Sequence, residues 1–86
     1  MNISEVKIQL IKPNNGLIGF ASLVINNSIY LGSIGIYSRI TGGYRLTYPK
    51  KDGFDVFYPI NNPTSKLIGR AIFETLNKVL HKKYND

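Results

Sequence analysis

The sequence predicts a small α+β domain: an antiparallel meander of about five β-strands followed by one C-terminal amphipathic helix. Three observations carry this. Apolar residues alternate with polar ones near the N-terminus, as in a half-buried strand. Turn-forming clusters then recur along the chain, at Pro13-Asn14-Asn15-Gly16, Asn26-Asn27, Thr41-Gly42-Gly43 and Pro49-Lys50-Lys51-Asp52-Gly53. After Asn62-Pro63 the apolar spacing changes from two residues to that of a helix.

The elements follow in order. Val6, Ile8 and Leu10 alternate with Glu5, Lys7 and Gln9, which gives the first strand. The second covers residues 17–25. Asn26-Asn27 then fits a two-residue hairpin, because asparagine tolerates positive φ better than most residues. The third strand spans residues 29–37, where Gly32 and Gly35 mark a bulge or a close backbone contact. Residues 44–48 and 54–58 supply two short aromatic strands flanking a basic turn at Lys50-Lys51. In the first of these, Tyr44, Leu46 and Tyr48 share one face, and Arg45 and Thr47 the other. The final segment reads as a helix with Asn62 as its N-cap and Pro63 at its first position. At ~100° per residue, Ile68, Ala71, Ile72, Leu76, Val79 and Leu80 form its apolar face. Lys66, Arg70, Glu74, Asn77 and His81 fall opposite, and Lys82 and Lys83 sit in the last turn, at the negative end of the helix dipole.

A chain of 86 residues is one domain, 1–86, with room for a single sheet packed on one helix. A core this small gains from a partner subunit, so a homodimer is expected. Eleven Lys and Arg against five Asp and Glu leave a net charge of +6. Such an excess of cations favours polyanions, nucleic acid first among them, though it also serves solubility. The absence of cysteine removes disulfides, thiolate chemistry and cysteine-ligated zinc, and fits a reducing cytoplasm. No apolar run approaches a membrane span, and Met1-Asn2-Ile3-Ser4-Glu5 does not read as a signal peptide.

Catalysis has little to work with. The acids are Glu5, Asp52, Asp55, Glu74 and Asp86, and only Asp52 and Asp55 are near one another in sequence. Asp52 is explained by its Asp-Gly turn. His81 is the single histidine, with no cysteine and no neighbouring acid to build a triad or a zinc site. No glycine pattern forms a phosphate-cradling loop at a helix start. The sequence thus implies no enzyme, no cofactor, no metal and no small-molecule substrate.

The basic residues are the functional candidates. Lys50 and Lys51 sit beside aromatic strands, Arg39 and Arg45 flank the Gly-Gly turn, and Lys66 and Arg70 line the polar side of the helix. Each alone is explained as a solvated surface charge; together they outnumber nearby acids and suggest a phosphate-binding set. Tyr48 is a candidate for stacking on bases, although its place in the Tyr44-Leu46-Tyr48 stripe fits packing equally well.

Three segments resemble the stage V sporulation protein G family, the septation regulators. They are Ala21-Ser22-Leu23-Val24-Ile25, the run Gly43-Tyr44-Arg45-Leu46-Thr47-Tyr48-Pro49-Lys50-Lys51, and Phe57-Tyr58-Pro59-Ile60-Asn61-Asn62 before the helix. The resemblance extends over about residues 3 to 80. It implies a small bacterial cytoplasmic protein that binds DNA or RNA, regulates a process such as cell division or sporulation, and forms homodimers. By position, Lys50 and Lys51 match the family's basic cluster, whereas Arg45 and Arg70 rest on charge reasoning alone. The chain departs from the family in having Gly35 for a common Arg, Tyr48 for Met and Tyr58 for His. A protein-interaction module without nucleic-acid binding is the alternative reading.

Overall fold

The computed structural model describes residues 1–51 and 53–84, and of residues 54, 55 and 82–84 the backbone alone. Six strands and one helix follow in order: β1 (Ile3–Asn14), β2 (Leu17–Ile25), β3 (Ile29–Ser38), β4 (Tyr44–Thr47), β5 (Lys50–Lys51), β6 (Phe54–Asp55) and α1 (Asn62–Tyr84). The first four form an antiparallel sheet in the order β1-β2-β3-β4, and β5 and β6 make a separate two-stranded hairpin. The architecture is the α+β meander that the sequence predicts.

Two asparagine turns set the first half. Asn15 and Gly16 both have positive φ (51° and 92°), and so do Asn26 and Asn27 (52° and 55°). This is the mirror-image turn whose twist suits a hairpin. At the second turn Ser28 N donates to Ile25 O at 3.0 Å, while the Asn26 side chain accepts from Asn2 N at 2.8 Å. The first strand is longer than the alternation indicates and runs through Pro13 to Asn14. A proline is tolerated there because β1 is an edge strand and its pairing with β2 is irregular between Leu10 and Asn14.

Three other expectations change. The helix is capped by Asn61 rather than Asn62: Thr64 N donates to Asn61 Oδ1 at 2.8 Å, and Ser65 N to Asn61 O at 3.1 Å. The first intrahelical bond and the capping bond thus fall on the same residue, which puts Asn62 and Pro63 inside the first turn, where a missing N–H costs nothing. Lys50 and Lys51, expected in a turn, are themselves a short strand paired with Phe54 and Asp55. The predicted strand over residues 54–58 shrinks to two residues, since Pro49 and Pro59 have no N–H with which to extend a ladder.

The helix covers one face of the sheet. Ala21 and Leu23 from β2, Ile34 and Ile36 from β3, and Ile68, Ile72 and Leu76 from α1 are the buried centre. Each of the larger side chains contributes roughly 1.5–3 kcal/mol through burial. Tyr44, Leu46 and Tyr48 pack against this centre, as their shared strand face requires. No polar or charged side chain is buried among the described residues.

Two bulges curl the sheet. Between Ser4 and Lys7, β1 advances three residues against two in β2, and Glu5 takes a φ of 50°. Between Leu31 and Ile34, β3 does the same, and Ser33 takes a φ of 60°. The two lie on either side of Ser22 in β2. An extra residue of this kind bends the strand and strengthens its twist. Gly32 takes the bulge role expected of it, whereas the close contact at Gly35 is to a side chain rather than to backbone. Gly32 adjoins the Ser33 bulge, and at Gly35 a Cβ would meet Thr47 Oγ1 at 2.5 Å.

Candidate nucleic-acid interface

A groove of about 260 Å³ runs between β4 and the first half of α1. Tyr44, Leu46 and Tyr48 line it from the sheet, and Ser65, Gly69 and Phe73 from the helix. The ring centroids of Tyr44 and Phe73 are 6.0 Å apart.

The turn chemistry places Arg39 at this groove. Arg39 N donates to Gly43 O at 3.0 Å, and Gly42 N donates back to Arg39 O at 3.1 Å, closing the β3–β4 loop over Arg39. Arg45 lies on β4 opposite Tyr37, with its guanidinium carbon 4.7 Å from the Tyr37 ring centroid. Because β4 is an edge strand, Arg45 lines the groove as well as stacking on the open sheet face. A stacked guanidinium keeps its in-plane N–H groups available to an oxyanion. The helical repeat carries Lys66 and Arg70 to the same side. They fall about 20° and 60° further round α1 than Phe73, away from the Ile68-Ile72-Leu76 stripe. Both are exposed. Two of the cations singled out in the sequence, Arg39 and Arg45, therefore line the groove from the sheet side, and Lys66 and Arg70 are exposed on the helix surface beside Phe73 without lining it.

Lys50 and Lys51 are exposed but do not line the groove; they lie two and three residues beyond Tyr48 on the small hairpin. Val56 N donates to Pro49 O at 2.8 Å, one bond beyond the Lys50–Asp55 pair at the open end of the hairpin. Of the two readings of Tyr48, the geometry shows packing. Its ring is half-buried, 5.8 Å from Phe57 and nearly perpendicular to it, and burial raises its phenol pKa above the ordinary value. Alternation along β4 turns Tyr48 toward the helix, so its ring is engaged in packing. The carboxylates of Asp52, Asp55 and Asp86, and the ammonium groups of Lys82 and Lys83, lie outside the described parts of the chain.

The exposed rings are elsewhere. On the sheet face away from the helix, Phe20 is 39% exposed and Tyr30 is 70% exposed. They line a second cavity of about 520 Å³, together with Lys7, Gln9, Ser22 and Ser33. Alternation along β2 puts Phe20 on the face opposite Ala21 and Leu23, but the strand is apolar on both faces, which hides the signal. The position of Tyr30 depends on the Ser33 bulge, which no local motif announces.

The groove offers the guanidinium donors of Arg39 and Arg45 beside the Tyr44, Leu46 and Phe73 side chains. It suits the binding of phosphates. Among the described residues no cluster of His, Asp or Glu is arranged to hold a metal ion, and no helix is long and apolar enough to cross a membrane. Neither a protein-family model nor a curated protein matches the sequence.

Proposed function

We propose that this protein is a non-catalytic nucleic-acid-binding regulator that acts as a homodimer in a bacterial cytoplasm. The observation that carries the reading is the pair Arg39 and Arg45 lining the β4–α1 groove, with Lys66 and Arg70 exposed on the adjoining helix surface. Lys50 and Lys51 extend the cationic surface along the hairpin. These groups are exposed, so they attract a phosphate backbone by releasing its counterions rather than by deep, specific contacts. The motif resemblance to the septation regulators supports a role in gene regulation. The long unpaired edge of β1 and the small core support association with a second copy. Pairing through that edge leaves both groove and open sheet face accessible.

Fluorescence anisotropy with labelled single-stranded and duplex oligonucleotides tests the reading. Replacing Arg39, Arg45, Lys66 and Arg70 by alanine together weakens binding to all sequences alike. Unchanged affinity overturns the assignment of the groove. A second reading is favoured by Val56, Tyr58 and Ile60, which expose apolar surface just before α1. In that case the chain is a protein-interaction module, and wild-type protein fails to bind either oligonucleotide at low salt.

A further inference from the structure

The open face of the sheet carries a feature that the cationic groove does not use. Phe20 and Tyr30 project from it and bound the cavity that also contains Lys7, Gln9, Ser22 and Ser33. Tyr30 pairs across from Val24, four residues along β2 from Phe20, or about 13 Å at strand spacing. The Tyr30 ring shortens that gap by leaning over Gly32. A Cβ on Gly32 would lie 2.9 Å from Tyr30 Cε1 and 3.0 Å from its Oη, so only glycine leaves the ring room to rest there. A third ring, Tyr37, continues the face on the far side of Gly35 and is stacked by Arg45. Rings thus run across the face from Tyr30 through Phe20 to Tyr37, with Lys7 on one flank and Arg45 on the other.

The backbone at this cavity is strained. Ser33, in its wall, is held at a φ of 60°, and Glu5, across β2 at the other bulge, at 50°. Non-glycine residues in the left-handed region persist where the surroundings require a particular local shape, and such positions cluster at ligand sites. The strain, the exposed rings and the polar groups between them coincide in one place.

We infer that this cavity is a base-binding site for single-stranded nucleic acid. Exposed rings stack on unpaired bases irrespective of sequence, the Gln9 amide and the Ser22 and Ser33 hydroxyls meet base edges, and Lys7 and Arg45 hold flanking phosphates. Charge complementarity favours this occupant over an apolar peptide: Lys7 in the cavity wall and Arg45 beside Tyr37 are cations on a chain of net charge +6, and the carboxylate of Glu5 at the neighbouring bulge does not line the cavity. Duplex nucleic acid, whose bases are stacked internally, is not accommodated. The inference rests on the proposed nucleic-acid binding and gives it a strandedness.

The test compares two labelled oligomers with the intact protein: a 15-residue oligothymidylate and an abasic oligomer of equal length and charge. Wild-type protein binds the base-bearing oligomer more tightly. Tyr30→Ala and Phe20→Ala each lower that affinity roughly 5- to 150-fold, the range for loss of one stacked base, and leave the abasic oligomer unaffected. Tyr30→Phe keeps the ring and retains binding. Because Tyr30 is largely exposed, its replacement does not threaten the fold. Equal binding of the two oligomers by wild type overturns the base site while leaving the cationic groove in place. Failure to bind either overturns both. A dimer that dissociates in Tyr30→Ala with oligomer binding unchanged also overturns it, and assigns the face to a second copy of the chain.

Discussion

Gly69 occupies the middle of a 23-residue helix and is buried at the floor of the cationic groove. Glycine inside a helix is about 0.8–1.0 kcal/mol less favourable than alanine, so its presence there needs a reason. Lack of space is not the reason. A Cβ on Gly69 would find a single neighbour, Phe73 Cε2, at the ordinary contact distance of 3.6 Å. Gly69→Ala therefore gains the propensity difference without a steric cost and stabilises the protein by about 1 kcal/mol. For a domain of this size that corresponds to a rise in Tm of roughly 4–8 °C. Urea unfolding followed by circular dichroism at 222 nm measures it, with an unchanged m-value confirming that native stability is what moved. The methyl group leaves most of the groove open, so oligonucleotide binding stays close to wild type. Gly69→Leu reaches further into a groove of about 260 Å³ and reduces binding while the fold persists. A loss of stability in Gly69→Ala would refute the reasoning, because it would mean that the helix and β4 already close on one another at this position.

The remaining predictions concern the helix cap and the buried phenol. Asn61→Ala removes the capping acceptor and costs about 1 kcal/mol, whereas Asn62→Ala changes stability by no more than about 0.5 kcal/mol; the reverse order in urea unfolding would return the cap to Asn62. Burial raises the pKa of Tyr48 above its ordinary value of about 10. Above that pH the unfolded chain gives up the Tyr48 proton while the folded chain keeps it. The corresponding stability is complete below about pH 10 and is lost as pH rises through the folded value. The decline of Tm over this alkaline range is shallower in Tyr48→Phe than in wild type, and parallel curves would mean that the phenol is not desolvated.

The fold was legible where local chemistry decides it. Asn26-Asn27 specifies its hairpin through the left-handed tolerance of asparagine, and the apolar stripe of Ile68, Ile72 and Leu76 specifies which face of α1 is buried. The cap was displaced by one residue because Asn61 and Asn62 carry the same side chain, and only the hydrogen bonds to Thr64 and Ser65 separate them. The strand at residues 54–58 was overestimated because aromatic content favours a strand while two prolines limit its ladder. At the candidate site the residue types were readable and their grouping was not. Arg39 and Arg45 flank one turn in the sequence, but their place beside Ser65, Gly69 and Phe73 depends on how α1 lies against β4. The exposure of Phe20 and Tyr30 depends on register shifts across β2, which alternation counted along one strand does not contain.

The central claim is that the β4–α1 groove neutralises phosphates. The most direct measurement is the slope of log K against log salt concentration for a single-stranded oligonucleotide. It is taken for wild type and for the protein with Arg39, Arg45, Lys66 and Arg70 all replaced by alanine. Each phosphate contact contributes about 0.7 to the slope on a single strand, so the four together account for a difference of about 3. Wild type shows the steep dependence and the variant a slope shallower by that amount. Equal slopes in the two proteins would contradict the account.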